Sequence, residues 1–269
     1  MPRSYAANFL GWLLAAFANT HLCQFLDLGG MLALGASCQI LSHALRAWRA
    51  PFPLFTIAFC FACLGQAFQD THANNYVAGI RGAHRWLAFI HAMYMAGCLT
   101  GPFVATAVAS AGETSRWWLF YLFPLGLGVI NLAWVLTAFR NTLTIKRKPT
   151  APAEAEAEGE GEGQVKASRN KGAIKLIKQA LGTRSVWLIS LFFFFFIGAA
   201  LTASGWVVEY LVVVRGGNLA QMGYGPAGFN GGAMLGRLLL AEPTYRLGER
   251  RMTCLWIALC IAFQLVFWL

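Results

Sequence analysis

Apolar residues fall in long unbroken runs that recur along the whole chain, each close to the ~20 residues an α-helix needs to cross a hydrocarbon layer. The runs do not alternate with period two, which argues against a membrane β-barrel. Eight spans are predicted, at Ala6–Leu26, Gly29–Trp48, Pro53–Ala78, Trp86–Ser110, Trp117–Phe139, Val186–Val208, Ala220–Leu240 and Thr253–Leu269. The seventh is the weakest, opened by Gly223, Gly225 and Pro226. The expected fold class is all-α, a polytopic membrane bundle of about eight transmembrane helices.

The pattern breaks between the fifth and sixth spans. Ala151–Gly163 is an Ala/Glu/Gly alternation with too little apolar surface to fold, so it reads as disordered. In Lys171–Leu181, Ile174, Ile177 and Leu181 share one helical face and Lys171, Lys175 and Lys178 another. That pattern suits a short helix on an anionic membrane surface, with a solvated linker as the alternative. The expected organisation is an N-terminal bundle over 1–139, a cytoplasmic linker over 140–184 and a partial C-terminal bundle over 185–269.

Composition agrees with a membrane protein: 58% of residues are hydrophobic and 12% charged, against about 25% charged in soluble domains. The net charge of +10 raises the question of nucleic acid, but ten of the 21 Lys and Arg lie in Arg140–Arg184. Placing that loop inside gives 16 basic residues inside and five outside, with both chain ends outside. The expected partner is therefore membrane lipid and not nucleic acid. The seven cysteines lie in apolar segments, and Cys60-x-x-Cys63 has no second pair or flanking His, so packing is its reading. Asn8, Asn19, Thr20 and His21 interrupt the first run, which is not read as a signal peptide.

The third span carries the chemistry. Within its apolar run stand Gln66, Gln69, Asp70, His72, Asn74 and Asn75. A charged residue at mid-membrane costs roughly 2.5–3.5 kcal/mol on insertion scales, so such an Asp normally faces a bundle interior or a watery cavity. Gln66, Asp70 and Asn74 are spaced by four and stack on one face, where they can bind a hydroxylated solute or relay a proton. The competing reading is an interhelical hydrogen-bond network. In the fourth span His91 and Tyr94 share a face, followed by Gly97-x-x-x-Gly101-Pro102, which admits a close helix neighbour and a bend. His91 is either a titrating group or a structural donor. Trp206 either lines a cavity or anchors at the interface. Gly228, Gly232 and Gly236 form a small-residue face that leads into Arg237, and Arg246, Gly248, Arg250 and Arg251 read as a charged turn at the inner face. No catalytic motif, metal cluster or cofactor-binding loop is present, so no enzyme activity, metal or cofactor is expected.

Several of these segments together resemble the major facilitator superfamily. Within it they are similar to a fungal branch related to fucose-permease-like carriers and the yeast bypass-of-stop-codon transporters. Gly65-Gln66-Ala67-Phe68-Gln69-Asp70 with Asn74 looks like that branch's fourth helix, and His91-Ala92 with Gly97 and Gly101-Pro102 like its fifth. Gly205-Trp206 with Val213-Val214-Arg215 looks like the end of the seventh, and Gly236-Arg237 with Arg246-Leu247-Gly248-Glu249 like the eighth and its following loop. The resemblance implies two pseudo-symmetric six-helix bundles rocking about a midplane site. The eight spans then correspond to helices two through nine. Asp27-Leu28-Gly29-Gly30 keeps the acid and glycine of the superfamily's loop signature without its basic residues, and Gly198-Ala199-Ala200-Leu201 lacks an acid often found there. Asp70 is left as the coupling candidate. The expectation is an integral, multi-pass secondary transporter of a small polar solute, a sugar among the candidates, with a proton as coupling ion. The alternative is a truncated, non-transporting remnant or an incomplete gene model.

Overall fold

A computed structural model describes residues 2–111, 116–143, 162–218, 222 and 224–269. These residues form nine α-helices: α1 Pro2–Leu22, α2 Leu28–Arg46, α3 Phe52–Ala78, α4 Ala83–Ser110, α5 Leu122–Ala138, α6 Glu162–Gly182, α7 Arg184–Glu209, α8 Gly225–Leu247 and α9 Glu249–Trp268. The all-α expectation holds. Among the described residues, six segments are long and apolar enough to cross a membrane: Leu28–Arg46, Phe52–Ala78, Ala83–Ala105, Trp117–Ala138, Arg184–Val214 and Glu249–Trp268. Against the expected eight, α1 and α8 have the length but not the apolarity. Asn8, Asn19 and His21 dilute the first, and Arg237, Glu242, Arg246 and a run of glycines dilute the second. The Ala/Glu/Gly alternation up to residue 161 lies outside the described residues. The basic helix starts at Glu162, well before Lys171, and leaves Ile174 and Leu181 exposed.

The chain divides into two compact units, Met1–Ala73 with Ala105–Phe196, and Asn74–Val104 with Ile197–Leu269. The first centres on Ala15, Met31, Ala67 and Phe68, contributed by α1, α2 and α3. Small residues set the helix spacing there. A Cβ on Gly35 would lie 2.8 Å from the Gly65 carbonyl oxygen and 2.7 Å from Gln69 Cγ, and a Cβ on Gly11 would lie 2.8 Å from Cys63 Cβ. Cys63 is thus a packing residue against α1. α2 also packs along α5, where Gly128 faces Ile40. The N-terminus of α2 is satisfied from a distance: the Gly29 N–H donates to Thr142 Oγ1 at 3.2 Å, while the Asp27 side chain makes no cap bond.

At the other end of α2, Arg46 is buried. Its guanidinium sits 4.4 Å from the Phe59 ring centroid and 4.5 Å from that of Tyr121. It donates to Ser42 O at 3.2 Å and Ser42 Oγ at 2.8 Å, and Ser42 Oγ donates to Ala58 O. Two π faces and a chain of hydrogen bonds thus stabilise this cation among the described residues. Arg46 thereby joins α2, α3 and the 3₁₀ turn Trp117–Tyr121.

In the second unit, α8 and α9 fold back on each other through Gly248, whose φ of +96° suits glycine. Trp256 Nε1 donates to Thr244 Oγ1 across this hairpin at 3.1 Å. A π turn, Tyr210–Val214, ends α7 and delivers Arg215 to the last carbonyls of α9, with bonds of 2.9 Å to Phe267 O and 2.8 Å to Trp268 O. A cation at a helix C-terminus complements the exposed carbonyls. The close-packing faces expected at Gly97/Gly101 and Gly228/Gly232 are not formed among the described residues. A Cβ at any of the four meets nothing within 4 Å. Four-residue spacing permits close approach but does not supply the partner. Gly65→Leu is therefore expected to lower unfolding stability in detergent by about 1–3 kcal/mol through overpacking, while Gly97→Ala leaves the melting temperature at or above wild type.

Candidate functional site

The polar residues of α3 divide between two faces. Gln69 points into the first unit and gathers three helices. Its Oε1 accepts from Gln39 Nε2 of α2 at 3.1 Å and from Asn131 Nδ2 of α5 at 3.2 Å. Its Nε2 donates to the Leu32 carbonyl at 3.2 Å. One turn on, His72 Nε2 lies 2.9 Å from Asn19 Oδ1 of α1 and 3.6 Å from Cys23 Sγ. These contacts are the interhelical network that the sequence offered as one of two readings. Gln69 and His72 make these contacts.

The other face carries Gln66, Asp70 and Asn74, with Asp70 exposed and its two neighbours half-buried. A carboxylate on the exposed face of an otherwise apolar, span-length helix is stable only where water or polar groups reach it. That face can hydrogen-bond a hydroxylated solute or hold a proton. On α4, His91 is half-buried and Tyr94 exposed; on α7, Trp206 is exposed.

One loop-motif residue of the second unit, Arg246, meets an acid the sequence reading passed over. Glu242 of α8 receives Arg85 of α4 in a fork, Nε to Oε2 at 2.8 Å and Nη2 to Oε1 at 2.9 Å. Arg246 Nε donates to Oε1 at 2.7 Å, and His84 Nε2 lies 3.1 Å from Oε2. The His84 ring stacks on Tyr245 at 3.9 Å. Hydrogen bonds from Arg85, then Arg246 and His84, hold the Glu242 carboxyl well below the usual glutamate range. Arg237 turns back to the Ala233 carbonyl at 3.2 Å, and Gly236 makes only ordinary contacts. Arg250 is exposed beyond the Gly248 turn. The charged turn is therefore tied to the start of α4. The signal in sequence was the four-residue spacing of Glu242 and Arg246; nothing local pointed to Arg85 or His84. Gln39 and Asn131 were equally hidden, each a lone amide in an apolar run.

Two outcomes test this arrangement. Gln69→Leu strands two amide donors and a carbonyl and is expected to cost about 1–2 kcal/mol, measured by unfolding in detergent. Glu242 has a lowered folded-state pKa, so its contribution is present above the ordinary value of 4.5 and is lost as pH falls through the lower folded value. Wild-type melting temperature should fall more steeply than that of Glu242→Gln as pH drops from neutral through that range; parallel curves would remove Glu242 from the pH response.

No protein-family model matches the chain, and no solved structure matches it. The chain is 25% identical over 259 residues to Bypass of stop codon protein 6 of Saccharomyces cerevisiae, a similarity covering 91% of this chain. The chain spans about half the length of this curated relative, 50% of it being covered.

Proposed function

We propose that this chain is a secondary-transporter polypeptide that moves a small polar solute by alternating access, with Asp70 binding the solute or coupling its movement to a proton. The observation that carries this reading is Asp70 itself, exposed on a helix otherwise apolar enough to cross the membrane. Gln66 and Asn74 flank it one turn away on either side and extend the polar face to a length that suits a hydroxylated solute such as a sugar. The two faces of α3 support the reading. Gln69 and His72 on one face link α3 to α1, α2 and α5, while Asp70 on the other is exposed.

The motif order described above adds the major facilitator superfamily as the framework. In it the eight longest apolar or mixed helices of this chain, without α6, correspond to the second through ninth of that fold, and lipid and a proton are the accompanying partners. His91, Tyr94 and Trp206 are the next residues proposed for the solute pathway.

Asp70→Asn is expected to abolish solute uptake in a complemented strain while protein level and membrane insertion stay normal. Unchanged uptake would remove Asp70 from the mechanism. Purified wild-type chain in proteoliposomes showing no solute- or pH-driven flux would favour the non-transporting alternative.

A further inference from the structure

A shallow cavity of about 360 Å³ lies beside the Glu242 cluster, between the first turns of α4 and the last turns of α8. The transport reading makes no use of it. Its walls are of two kinds. Ala88, Phe89 and Leu238 are apolar, whereas Arg85, Arg246 and Glu242 are charged. The two kinds occur in opposite chain order on the two helices, which run antiparallel, with Arg85 at Glu242 and Asn230 Nδ2 donating to the Cys98 carbonyl. On α4, Arg85 comes one turn before Phe89, and on α8, Leu238 comes one turn before Glu242. Charge therefore lines one end of the cavity and hydrocarbon the other.

The charged end keeps a positive surplus. One carboxylate faces two guanidinium groups, which give its oxygens three N–H bonds beside the His84 contact. The fork to Glu242 fixes the orientation of Arg85. Arg246 engages Glu242 through Nε alone, so its two terminal nitrogens keep their N–H groups for another acceptor, and its side chain is 72% exposed. Paired guanidinium donors with fixed geometry suit a phosphate. The site also lies where a phospholipid headgroup would be: the apolar span Ala83–Ala105 begins beside Arg85, and Glu249–Trp268 begins just after Arg246. On the eight-span topology expected from sequence, which places 16 of 21 basic residues inside, this end lies at the anionic cytoplasmic leaflet.

We infer that this cavity binds the phosphate of an anionic phospholipid from the inner leaflet, with the acyl chain along Ala88, Phe89 and Leu238. Inorganic phosphate offers the same anion chemistry to the guanidinium groups, but only a lipid also uses the apolar wall. The inference rests on the membrane reading and not on solute transport, so a failed uptake assay leaves it standing.

The test is a titration of the purified full chain in mild detergent with phosphatidylglycerol or phosphatidylcholine, followed by native mass spectrometry. Phosphatidylglycerol should be retained in preference to phosphatidylcholine. Arg246→Gln should weaken that retention about five-fold, the effect of one basic residue at a membrane surface, and Arg246→Lys should recover most of it. Ala88→Trp, which fills the apolar wall and keeps every charge, should weaken it as well; Arg116→Gln, outside the cavity, should not. Equal retention by wild type, Arg246→Gln and Ala88→Trp would overturn the site. Full displacement by excess inorganic phosphate, with Ala88→Trp behaving as wild type, would overturn the lipid assignment and make it a soluble-anion site.

Discussion

The crossing of α2 and α3 at Gly35 and Gly65 governs the first unit. With no side chain on either residue, the helices approach until each backbone carbonyl fills the place a Cβ would take. In a membrane, where burial away from water gives helices little reason to associate, such close packing and the polar contacts it allows are the main attractive terms. The same approach brings Gln69 within reach of the Leu32 carbonyl and of Gln39, and α5 completes the set with Asn131. Were the helices farther apart, these amides would have to be satisfied elsewhere, at considerable cost in an apolar medium.

Because the amide network occupies one face of α3, the helix presents a second polar face with a different environment. Gln69 and His72 link neighbouring helices; Asp70 is exposed. A single helix thus combines a scaffold role and a candidate functional role, separated by the 100° step between successive residues. The division explains how a segment with so many polar groups is compatible with a bundle.

Charged residues in both units are placed by tertiary contacts more than by position along the chain. Arg46 is enclosed by the Phe59 and Tyr121 rings and by the Ser42 hydroxyl. Arg215 closes the carbonyl end of α9. Glu242 collects Arg85, Arg246 and His84 at the junction of α4 and α8. In each case the group joins elements distant in sequence, because a charge at the edge of an apolar medium is stabilised by fixed dipoles, rings or counter-charges.

Hydrophobic periodicity and run length by themselves determined the helical class and six of the membrane-length segments, since a continuous apolar run of this length has few other stable states. They also exposed Asp70, whose charge stands out against its surroundings. They overstated α1 and α8, where helix length came without enough apolarity, and the faces at Gly97/Gly101 and Gly228/Gly232, where small residues came without a neighbour. Only the tertiary structure decided that Gln69 links three helices, because Gln39 and Asn131 are each a lone amide in its own segment and gain meaning from a partner on another helix. The same holds for Glu242. Its spacing to Arg246 is local and was legible, whereas its fork to Arg85 spans more than half the chain and exists only once α4 and α8 are brought together.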